Sequence, residues 1–269
     1  MDGDATASYF DRRAHQYPAA EWHAAYARRL VELADLTAGQ RVLDAATGTG
    51  FAALTAARAV GPTGQVVGVD ISPGMLAQAE QSRSHAGVSN VGYVEADAAT
   101  LPAFEDATFD VVLCSAGVLY LPVATALATW YRVLTPGGLV GFSTMCAGYP
   151  AAARVFRRCA AELGLPLRDP HAVLGDQARC RQALEAAGFQ PERIVAGQVW
   201  LPDSDLGEIW RLHATSPHYP EIHHLTATEL AVLRERVTTA IARLRTEHGL
   251  AAQRAAVLYA FGRKPETRM

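Results

Sequence analysis

Short apolar runs alternate with helical patterns along the first half of the chain. The apolar runs have the length and composition of buried strands, and they lie at residues 41–46, 65–69, 91–95, 109–114 and 139–143. Helical spacing predicts helices at about 21–36, 50–60 and 73–86, the last with Ser72 and Pro73 as N-cap and first-turn signals. Buried strands separated by helices indicate an α/β fold with a parallel sheet covered on both faces.

The pattern changes after residue 149. Helices are predicted at about 151–163, 176–187, 205–213 and 226–248, with a strand near 194–200 between the second and the third and a closing strand at 255–262. The sequence shows no internal repeat and no flexible linker between the two halves. We therefore interpret the chain as a single domain in which the later helices form an insertion on the same sheet.

The composition excludes several classes of protein. The 269 residues carry 24 Lys and Arg against 27 Asp and Glu, a net charge of −3, and half of them are hydrophobic. This balance argues against disorder and against a basic surface for nucleic acid. The four cysteines, Cys114, Cys146, Cys159 and Cys180, form no CxxC pair, so we expect buried, reduced thiols and no metal site.

The sequence predicts neither a membrane span nor a signal peptide. The uncharged runs at 111–131 and 133–153 are both interrupted by glycine and proline, which indicates strands, loops and helices. The N-terminus begins Met-Asp-Gly-Asp and lacks the apolar core of a signal peptide. We expect a cytoplasmic protein with no membrane partner, and a homodimer stays open.

The most informative segment is the turn after the first predicted strand, where residues 42–50 read Val-Leu-Asp-Ala-Ala-Thr-Gly-Thr-Gly. Gly48 and Gly50 let a ligand approach the backbone at the start of the next helix. Counted from Gly48, the turn also fits a dinucleotide fingerprint, with Asp70 as its acidic residue. Asp44, however, would repel a diphosphate and attract a ligand with an ammonium and a sulfonium, which favours S-adenosylmethionine over a nicotinamide cofactor.

Two further acids follow the next two predicted strands. Asp70 is placed to accept hydrogen bonds from both ribose hydroxyls, although it could instead cap the helix that starts near Pro73. Asp97 could accept a hydrogen bond from the adenine amino group, or it could be an exposed turn acid. Ile71 and Met75 could supply apolar faces for the adenine ring or belong to the core. Three acids at three successive strand ends are more specific than any one of them.

With these motifs the chain resembles the class I S-adenosylmethionine-dependent methyltransferases, in particular the ubiquinone and menaquinone biosynthesis type that acts on small molecules. The similarity covers roughly residues 20–145, including Arg-Val-Leu-Thr-Pro-Gly-Gly at 132–138, and residues 9–17 resemble the family's lid helix. It implies a doubly wound, mostly parallel, seven-stranded Rossmann-like sheet with a reversed last strand and a helical cap. The implied parts are lid helices at about 1–36, a cofactor-binding core at about 37–145, a substrate cap with a sixth strand at about 146–250 and a final strand at about 252–263.

The resemblance also implies a cofactor site. Gly48 and Gly50 would line the methionyl part of the cofactor, Ser115 would lie under the sulfonium, and Tyr17 would close over the site. Ala46 departs from the family pattern because glycine is usual there. A methyl group is tolerable at this position if the backbone stays in the β region, so we interpret the alanine as a variant and not as a loss of the cofactor. The expected cofactor-binding residues are Tyr17, Asp44, Ala46, Thr47, Gly48, Gly50, Asp70, Ile71, Met75, Asp97, Ala98 and Ser115.

Methyl transfer requires an electron-rich acceptor held in line with the methyl group and the sulfur. His213 and His218, in an aromatic-rich stretch of the later half, are candidate general bases, or else surface residues near prolines. Tyr120, after the fourth strand, is a third catalytic candidate whose alternative role is packing. Tyr149 and Trp210 are candidates for the wall of the acceptor pocket.

These observations predict a methyltransferase that acts on a small molecule, which is aromatic or polyketide-like by analogy with the family. Two other classes stay open. One is an enzyme that binds S-adenosylmethionine and catalyses a cyclisation or rearrangement without methyl transfer. The other, against the argument from Asp44, is a nicotinamide-dependent oxidoreductase. A non-catalytic partner subunit is disfavoured because acids stand at all three strand ends.

Overall fold

A computed structural model of the protein describes residues 3–15, 21–204 and 206–266. Within these residues the strands are β1 (Arg41–Ala45), β2 (Gln65–Asp70), β3 (Val91–Glu95), β4 (Phe109–Cys114), β5 (Leu134–Met145), β6 (Gln190–Trp200) and β7 (Arg254–Arg263). The α-helices of the same residues are α1 (Gly3–Asp11), α2 (Glu21–Ala34), α3 (Phe51–Val60), α4 (Pro73–Ala86), α5 (Val123–Val133), α6 (Ala151–Glu162), α7 (Gln177–Ala186), α8 (Leu206–Ala214) and α9 (Ala227–His248). The alternation of strand and helix expected for the first half is therefore present.

The seven strands form one sheet in the order β3-β2-β1-β4-β5-β7-β6. Strands β1 to β5 pair in parallel, whereas β7 pairs antiparallel with both β5 and β6. This confirms the predicted doubly wound, mostly parallel sheet with a reversed last strand. Because β6 and β7 extend the same sheet, the later half of the chain completes the sheet that the first half begins.

Side chains of β1 alternate between the two faces of the sheet and enter different cores. Val42 belongs to the core that contains Leu30 of α2 and the alanine-rich side of α3. Leu43 belongs to the core on the other face, which contains Trp130 of α5. Asp44 is the one polar residue in the buried part of this strand, and a buried polar residue in a central strand requires an explanation.

Three of the later helices form a cap with a core of its own. Helices α6, α8 and α9 pack against one another, and their shared apolar cluster includes Phe156, Ile209, Leu233 and Val237. Residues of this cap share a cavity with the carboxyl ends of the parallel strands. The fold thus brings the two halves of the sequence together at one place.

The fifth strand is longer than the sequence predicts. We expected residues 139–143, and the strand runs over Leu134–Met145. The Thr-Pro-Gly-Gly segment that we expected before the strand lies inside it, where the register with β4 shifts between Phe109 and Val111. Gly137 in this segment has φ +77°, a left-handed conformation that glycine adopts readily. The segment is therefore a bulge in the strand.

The structure describes all four cysteines. Cys114, Cys159 and Cys180 are buried, Cys146 is half-buried, and all four are free. Burial raises the pKa of each thiol, which keeps them protonated near neutral pH.

Among the described residues, no helix combines the length and the apolar character that crossing a bilayer requires.

Candidate active site

A cavity of about 870 Å³ lies between the carboxyl ends of the parallel strands and the cap. Its strand-end half is formed by residues within 46–52, 70–75, 95–98 and 115–122, and its cap half by residues within 150–171, 201–219 and 241–253. Residues of α1 and α2 complete the wall. The volume is near the upper end of the range for small-molecule sites, roughly 300–1,000 Å³.

The structure brings most of the sequence-predicted site residues to this cavity. Those that line it are Ala46, Thr47, Gly48, Asp70, Ile71, Met75, Asp97, Ala98, Ser115, Tyr120, His213 and His218. The predicted residues that are described but do not line it are Asp44, Gly50, Tyr149 and Trp210. Tyr17 lies outside the described residues.

Asp44 lies directly below the cavity wall and is fully buried. Its Oδ2 accepts hydrogen bonds from Thr47 Oγ1 at 2.6 Å and from the Ala53 backbone N–H at 2.9 Å. Its Oδ1 has no hydrogen-bond partner within the described part of the chain. Burial raises the pKa of Asp44 to about 7 even though the two hydrogen bonds oppose that shift. The carboxylate is therefore joined to the cavity wall through Thr47 and does not itself line the cavity.

The backbone of Ala46 does not stay in the β region, which was the condition for tolerating its methyl group. Ala46 has φ +54°, which is left-handed and not in the β region. The turn thus keeps the backbone conformation that glycine favours although alanine occupies the position. This conformation costs the alanine about 1–2 kcal/mol of strain. Gly117 makes room for the extra methyl group, since a Cβ added at Gly117 would lie 2.7 Å from the Ala46 Cβ.

The two glycines of the turn serve different purposes. Gly48 has φ +55° and lines the cavity, and a Cβ added there would meet no described atom within 4 Å. Gly50 has φ +84°, and a Cβ added there would lie 2.5 Å from the Tyr93 hydroxyl. Gly48 therefore opens space for a ligand, whereas Gly50 lets α3 pack closely against β3.

Thr49, between the two glycines, lines the cavity and has a buried hydroxyl with no partner among the described residues. Sequence reasoning missed it.

Asp70 ends β2 in the wall of the cavity. Its Oδ2 accepts from the Gly48 N–H at 2.8 Å and its Oδ1 from the Ser72 N–H at 3.0 Å. Ser72 caps α4, because its side chain accepts from the Met75 N–H at 3.1 Å. The alternative interpretation of Asp70 as the helix cap is therefore wrong. Burial raises the pKa of Asp70, and its remaining lone pairs are available to donors of a ligand.

Asp97 lies in an exposed position at the rim of the same half. Its Oδ1 accepts from the Ala99 N–H at 2.8 Å, which fixes the carboxylate in the turn after β3. Ala98 is buried beside it, and its carbonyl oxygen accepts from Trp130 Nε1 at 2.8 Å. The rim therefore combines an acid with small and apolar residues, of which Met75 is buried.

Helix α1 docks on the beginning of α4 through one carboxylate. Asp11 Oδ1 accepts from Ser72 Oγ at 2.6 Å and from the Gly74 N–H at 2.9 Å. Gly74 permits this approach, since a Cβ there would lie 2.9 Å from Asp11 Oδ1. The contact places α1 beside the strand-end half, as the resemblance to a lid helix implies.

Three rings from three segments follow one another along the cavity. Phe10 of α1 meets Tyr120 edge to face, with ring centroids 4.8 Å apart. Tyr120 in turn stacks on His218 of the cap, with centroids 4.6 Å apart and an interplanar angle of 26°. The lid, the segment after β4 and the cap are thus joined by aromatic contacts.

The imidazoles of the cap half are neutral at physiological pH. Burial lowers the pKa of His213 and of His218 to about 4, and the positive charge of Arg157 adds to the effect at His213. The pKa of His171, which also lines the cavity, is lowered to about 4 by the same cause. Bases this weak contribute little to proton removal at pH 7. Among the described residues they form no metal-binding cluster.

A buried ion pair holds the cap half together. Arg157 Nη2 lies 2.9 Å from Asp169 Oδ2, and Arg157 Nη1 donates to the Tyr219 hydroxyl at 3.3 Å. Asp169 also accepts from the Gly148 N–H at 2.7 Å and from the His171 N–H at 3.1 Å. Helix α6 is thus tied to the segments that carry Tyr219 and His171.

Tyr149 and Trp210, the two candidates for the wall of an acceptor pocket, do not line the cavity. Trp210 packs near Phe156 in the core of the cap and borders a separate groove on its outside. Tyr149 packs against the core on the α2 and α3 side of the sheet. Trp210 and His213 are three residues apart on α8 and both lie near Phe156, with ring centroids at 5.9 and 5.3 Å, so they share a helix face. Of the two, His213 lines the cavity.

Comparison with known proteins gives a match over the first half of the chain. Residues 42–138 match the profile of a family described as "Methyltransferase domain". Aklanonic acid methyltransferase DauC of Streptomyces sp. (strain C5) is 36% identical over 142 residues, 52% of this chain and 62% of that protein. Demethylmenaquinone methyltransferase of Staphylococcus aureus (strain JH9) is 38% identical over 121 residues, 45% of this chain and 49% of that protein. The matches thus span about half to three fifths of the relatives' own length.

Solved structures share the fold at low sequence identity. A protein of Bacillus halodurans C-125 is 22% identical with a TM-score of 0.61, covering 90% of this chain and 99% of that one. The [4+2]-cyclase SpnF is 23% identical with a TM-score of 0.55, covering 89% of this chain and 81% of that one. At these identities the likeness is one of fold.

The strand order, together with a cap of helices, is that of the Rossmann-like methyltransferase fold. The family match and the two curated relatives agree with that fold. Over residues 42–138 the chain is thus similar to a methyltransferase domain.

Proposed function

We propose that this protein transfers a methyl group from S-adenosylmethionine to a small-molecule acceptor by in-line displacement. The observation that carries the proposal is the arrangement of three acids from successive strand ends about one cavity. Asp44 lies beneath the wall, Asp70 lies in it, and Asp97 lies at its rim. These positions suit the cationic, ribose and adenine parts of the cofactor in turn.

Unpartnered polar atoms at the turn support a cationic ligand. Within the described residues, Asp44 Oδ1 and Thr49 Oγ1 are buried without partners, and Gly48 faces open space. A nearby cation would stabilise the ionised form of Asp44 and lower its pKa from about 7. A diphosphate would have the opposite effect, which disfavours a nicotinamide cofactor.

Each part of the strand-end half has an expected role toward the cofactor. S-adenosylmethionine, when bound, supplies an electrophilic methyl group on a positively charged sulfur. Thr47 and Gly48 would hold its methionyl part, Asp70 would accept from the ribose hydroxyls, and Asp97 would accept from the adenine amino group. Met75 and the other apolar rim residues would pack on the adenine, while α1 and the cap would exclude water.

The cap half suits an acceptor that needs no strong base. His213 and His218 are weak bases because burial keeps them neutral. Phe10 and Tyr120 add flat aromatic surface to the wall. An aromatic or polyketide-like acceptor that is electron-rich or readily ionised fits these properties, and the names of the two curated relatives support a small-molecule acceptor.

The test is methyl transfer itself. The protein is incubated with S-adenosylmethionine carrying a deuterated methyl group and with a panel of phenols, naphthols and hydroxyquinones, and the products are analysed by mass spectrometry. We expect S-adenosylhomocysteine together with an acceptor that has gained one deuterated methyl group. If an acceptor is instead isomerised without formation of S-adenosylhomocysteine, the protein is a cofactor-dependent cyclase or rearrangement enzyme and the proposal is wrong.

A further inference from the structure

Two histidines from different segments of the cap line the same half of the cavity. His171 lies in a short 3-10 helix, Pro170–Val173, that follows α6. His218 lies between α8 and a second 3-10 helix, Pro220–His224. The charge of a protonated His171 would lower the pKa of His218. The two residues are called the imidazole pair below.

Each ring of the imidazole pair has one buried nitrogen without a partner in the described part of the chain. These atoms are Nδ1 of His171 and Nε2 of His218. His171 is 8% exposed, so solvent reaches it little. Buried polar atoms in folded proteins nearly always have a hydrogen-bond partner. Because both residues line one cavity, we take a molecule bound there as the partner of these atoms.

The neighbouring polar groups are already engaged. Asp169 accepts from Arg157, from the Gly148 N–H and from the backbone N–H of His171. Arg157 donates to Asp169 and to the Tyr219 hydroxyl. These bonds fix the segment that carries His171 without reaching its unpartnered ring nitrogen.

The ring of His218 is also held in place. It stacks on Tyr120, and its backbone N–H donates to Ser216 Oγ at 3.3 Å. The ring of His218 and the backbone that carries His171 are thus positioned before any ligand arrives, which reduces the entropy lost on binding.

The protonation state of the pair selects the chemistry of the ligand. Burial lowers the pKa of both rings to about 4, so each is neutral at pH 7. A neutral imidazole has one nitrogen that donates and one that accepts. A carboxylate can only accept and an ammonium can only donate, whereas a hydroxyl does both. A hydroxyl therefore satisfies either tautomer of each ring.

We propose that His171 and His218 recognise a hydroxyl group of the acceptor and so select hydroxylated acceptors. This inference rests on the proposed function, because it takes the cap half to be the acceptor site. The pair acts by binding and positioning the acceptor.

The experiment compares ligands that differ by one hydroxyl group. Naphthol and naphthalene, and dihydroxyanthraquinone and anthraquinone, are titrated into the whole protein with and without saturating S-adenosylhomocysteine. We expect at least one hydroxylated compound to bind about ten-fold more tightly than its parent. Equal binding within each pair, or binding of none of the compounds, would overturn the proposal.

Matched variants assign the preference to the pair. His171→Asn keeps a polar atom near the position of Nδ1, and His218→Gln keeps one near Nε2, so both are expected to retain most of the preference. His171→Leu and His218→Leu are expected to lose it. His224→Leu, at an exposed histidine of the second 3-10 helix, is the control and should bind like the wild type.

Binding of S-adenosylhomocysteine separates this inference from the proposed function. We expect the leucine variants to bind it as the wild type does, which also shows that they are folded. If a leucine variant binds S-adenosylhomocysteine normally and keeps the hydroxyl preference, the role of the imidazole pair is contradicted, but the proposed function is not. A wild type that binds hydroxylated compounds but never binds S-adenosylhomocysteine contradicts the proposed function and leaves the recognition of hydroxyl groups standing.

Discussion

At the scale of single residues, strain and unpaired polar atoms collect at the turn after β1. Ala46 adopts a left-handed backbone, and Asp44 and Thr49 carry buried oxygens without partners among the described residues. Such features persist only where the surrounding structure enforces them, and they concentrate at functional sites. The sequence identified the turn, but it could not show that Ala46 keeps the conformation of the glycine it replaces.

Ala46→Gly is expected to raise the free energy of unfolding by ~0.5–1 kcal/mol, because glycine adopts φ +54° without strain but is more flexible when unfolded. Gly117→Ala is expected to destabilise the protein, since its Cβ would lie 2.7 Å from that of Ala46. The loss should be smaller in the Ala46→Gly background. A double-mutant cycle in urea measures the coupling, with Gly92→Ala as the control, because an added Cβ there meets no described atom within 4 Å. Strictly additive effects would show that the two sites are independent.

Asp44→Asn is expected to weaken binding of S-adenosylhomocysteine about ten-fold, because the amide cannot neutralise the ammonium group. It is expected to stabilise the free protein by ~1–2 kcal/mol at pH 8. The folded pKa of Asp44 is about 7 against an ordinary value of 3.8, so the wild type loses stability as the pH rises between these values. The variant should lack that loss.

Calorimetry gives the affinity, and urea unfolding at pH 5 and pH 8 gives the stability. Asp106→Asn is the control, because this side chain is 77% exposed. Unchanged affinity in Asp44→Asn would rule out an electrostatic role for the carboxylate.

At the scale of elements, the hydrophobic periodicity and the capping residues of each segment predicted the bounds of the strands and helices. Strands β1 to β4 lie within one residue of their predicted ranges, and α4 begins at Pro73 after the Ser72 cap. Periodicity and capping act within one element, so the sequence alone can show them. The walls of the cavity depend instead on how the helices are rotated against one another. For that reason Trp210 was misplaced and His171 was missed.

The docking of α1 gives an element-scale prediction. Asp11→Ala removes the acceptor of two hydrogen bonds that hold α1 to α4, so we expect several-fold weaker binding of S-adenosylhomocysteine with little change in global stability. Asp11→Asn keeps an oxygen acceptor and should bind nearly as the wild type does. Calorimetry on the three proteins decides the point. Wild-type affinity in Asp11→Ala would show that docking of this helix does not support the cofactor site.

At the scale of the whole molecule, cavity histidines make the fold sensitive to acid. Burial lowers the pKa of His23 to about 3 and that of His171, His213 and His218 to about 4, against an ordinary value of 6.5. The folded state therefore excludes protons that the unfolded state binds. Stability is fully present above pH 6.5 and is lost toward pH 4, by at most ~1.4 kcal/mol per pH unit for each imidazole.

The raised pKa values of Asp44 and Asp70 oppose this loss in the same range, but two carboxyls face four imidazoles. We therefore expect the free energy of unfolding, measured in urea, to fall between pH 6.5 and pH 5. In the double variant His171→Asn, His218→Gln the fall should be smaller. Stability that is level or rises toward pH 5 would show that these histidines are not neutral in the folded protein.

The central claim is that the strand-end half binds S-adenosylmethionine, and calorimetry tests it most directly. S-adenosylmethionine, S-adenosylhomocysteine and NADH are titrated into the wild type and into Asp70→Ala. We predict low-micromolar binding of both sulfur compounds, no binding of NADH, and a loss of about ten-fold or more in Asp70→Ala, because the ribose hydroxyls lose their acceptor. Binding of NADH in place of the sulfur compounds would contradict the account.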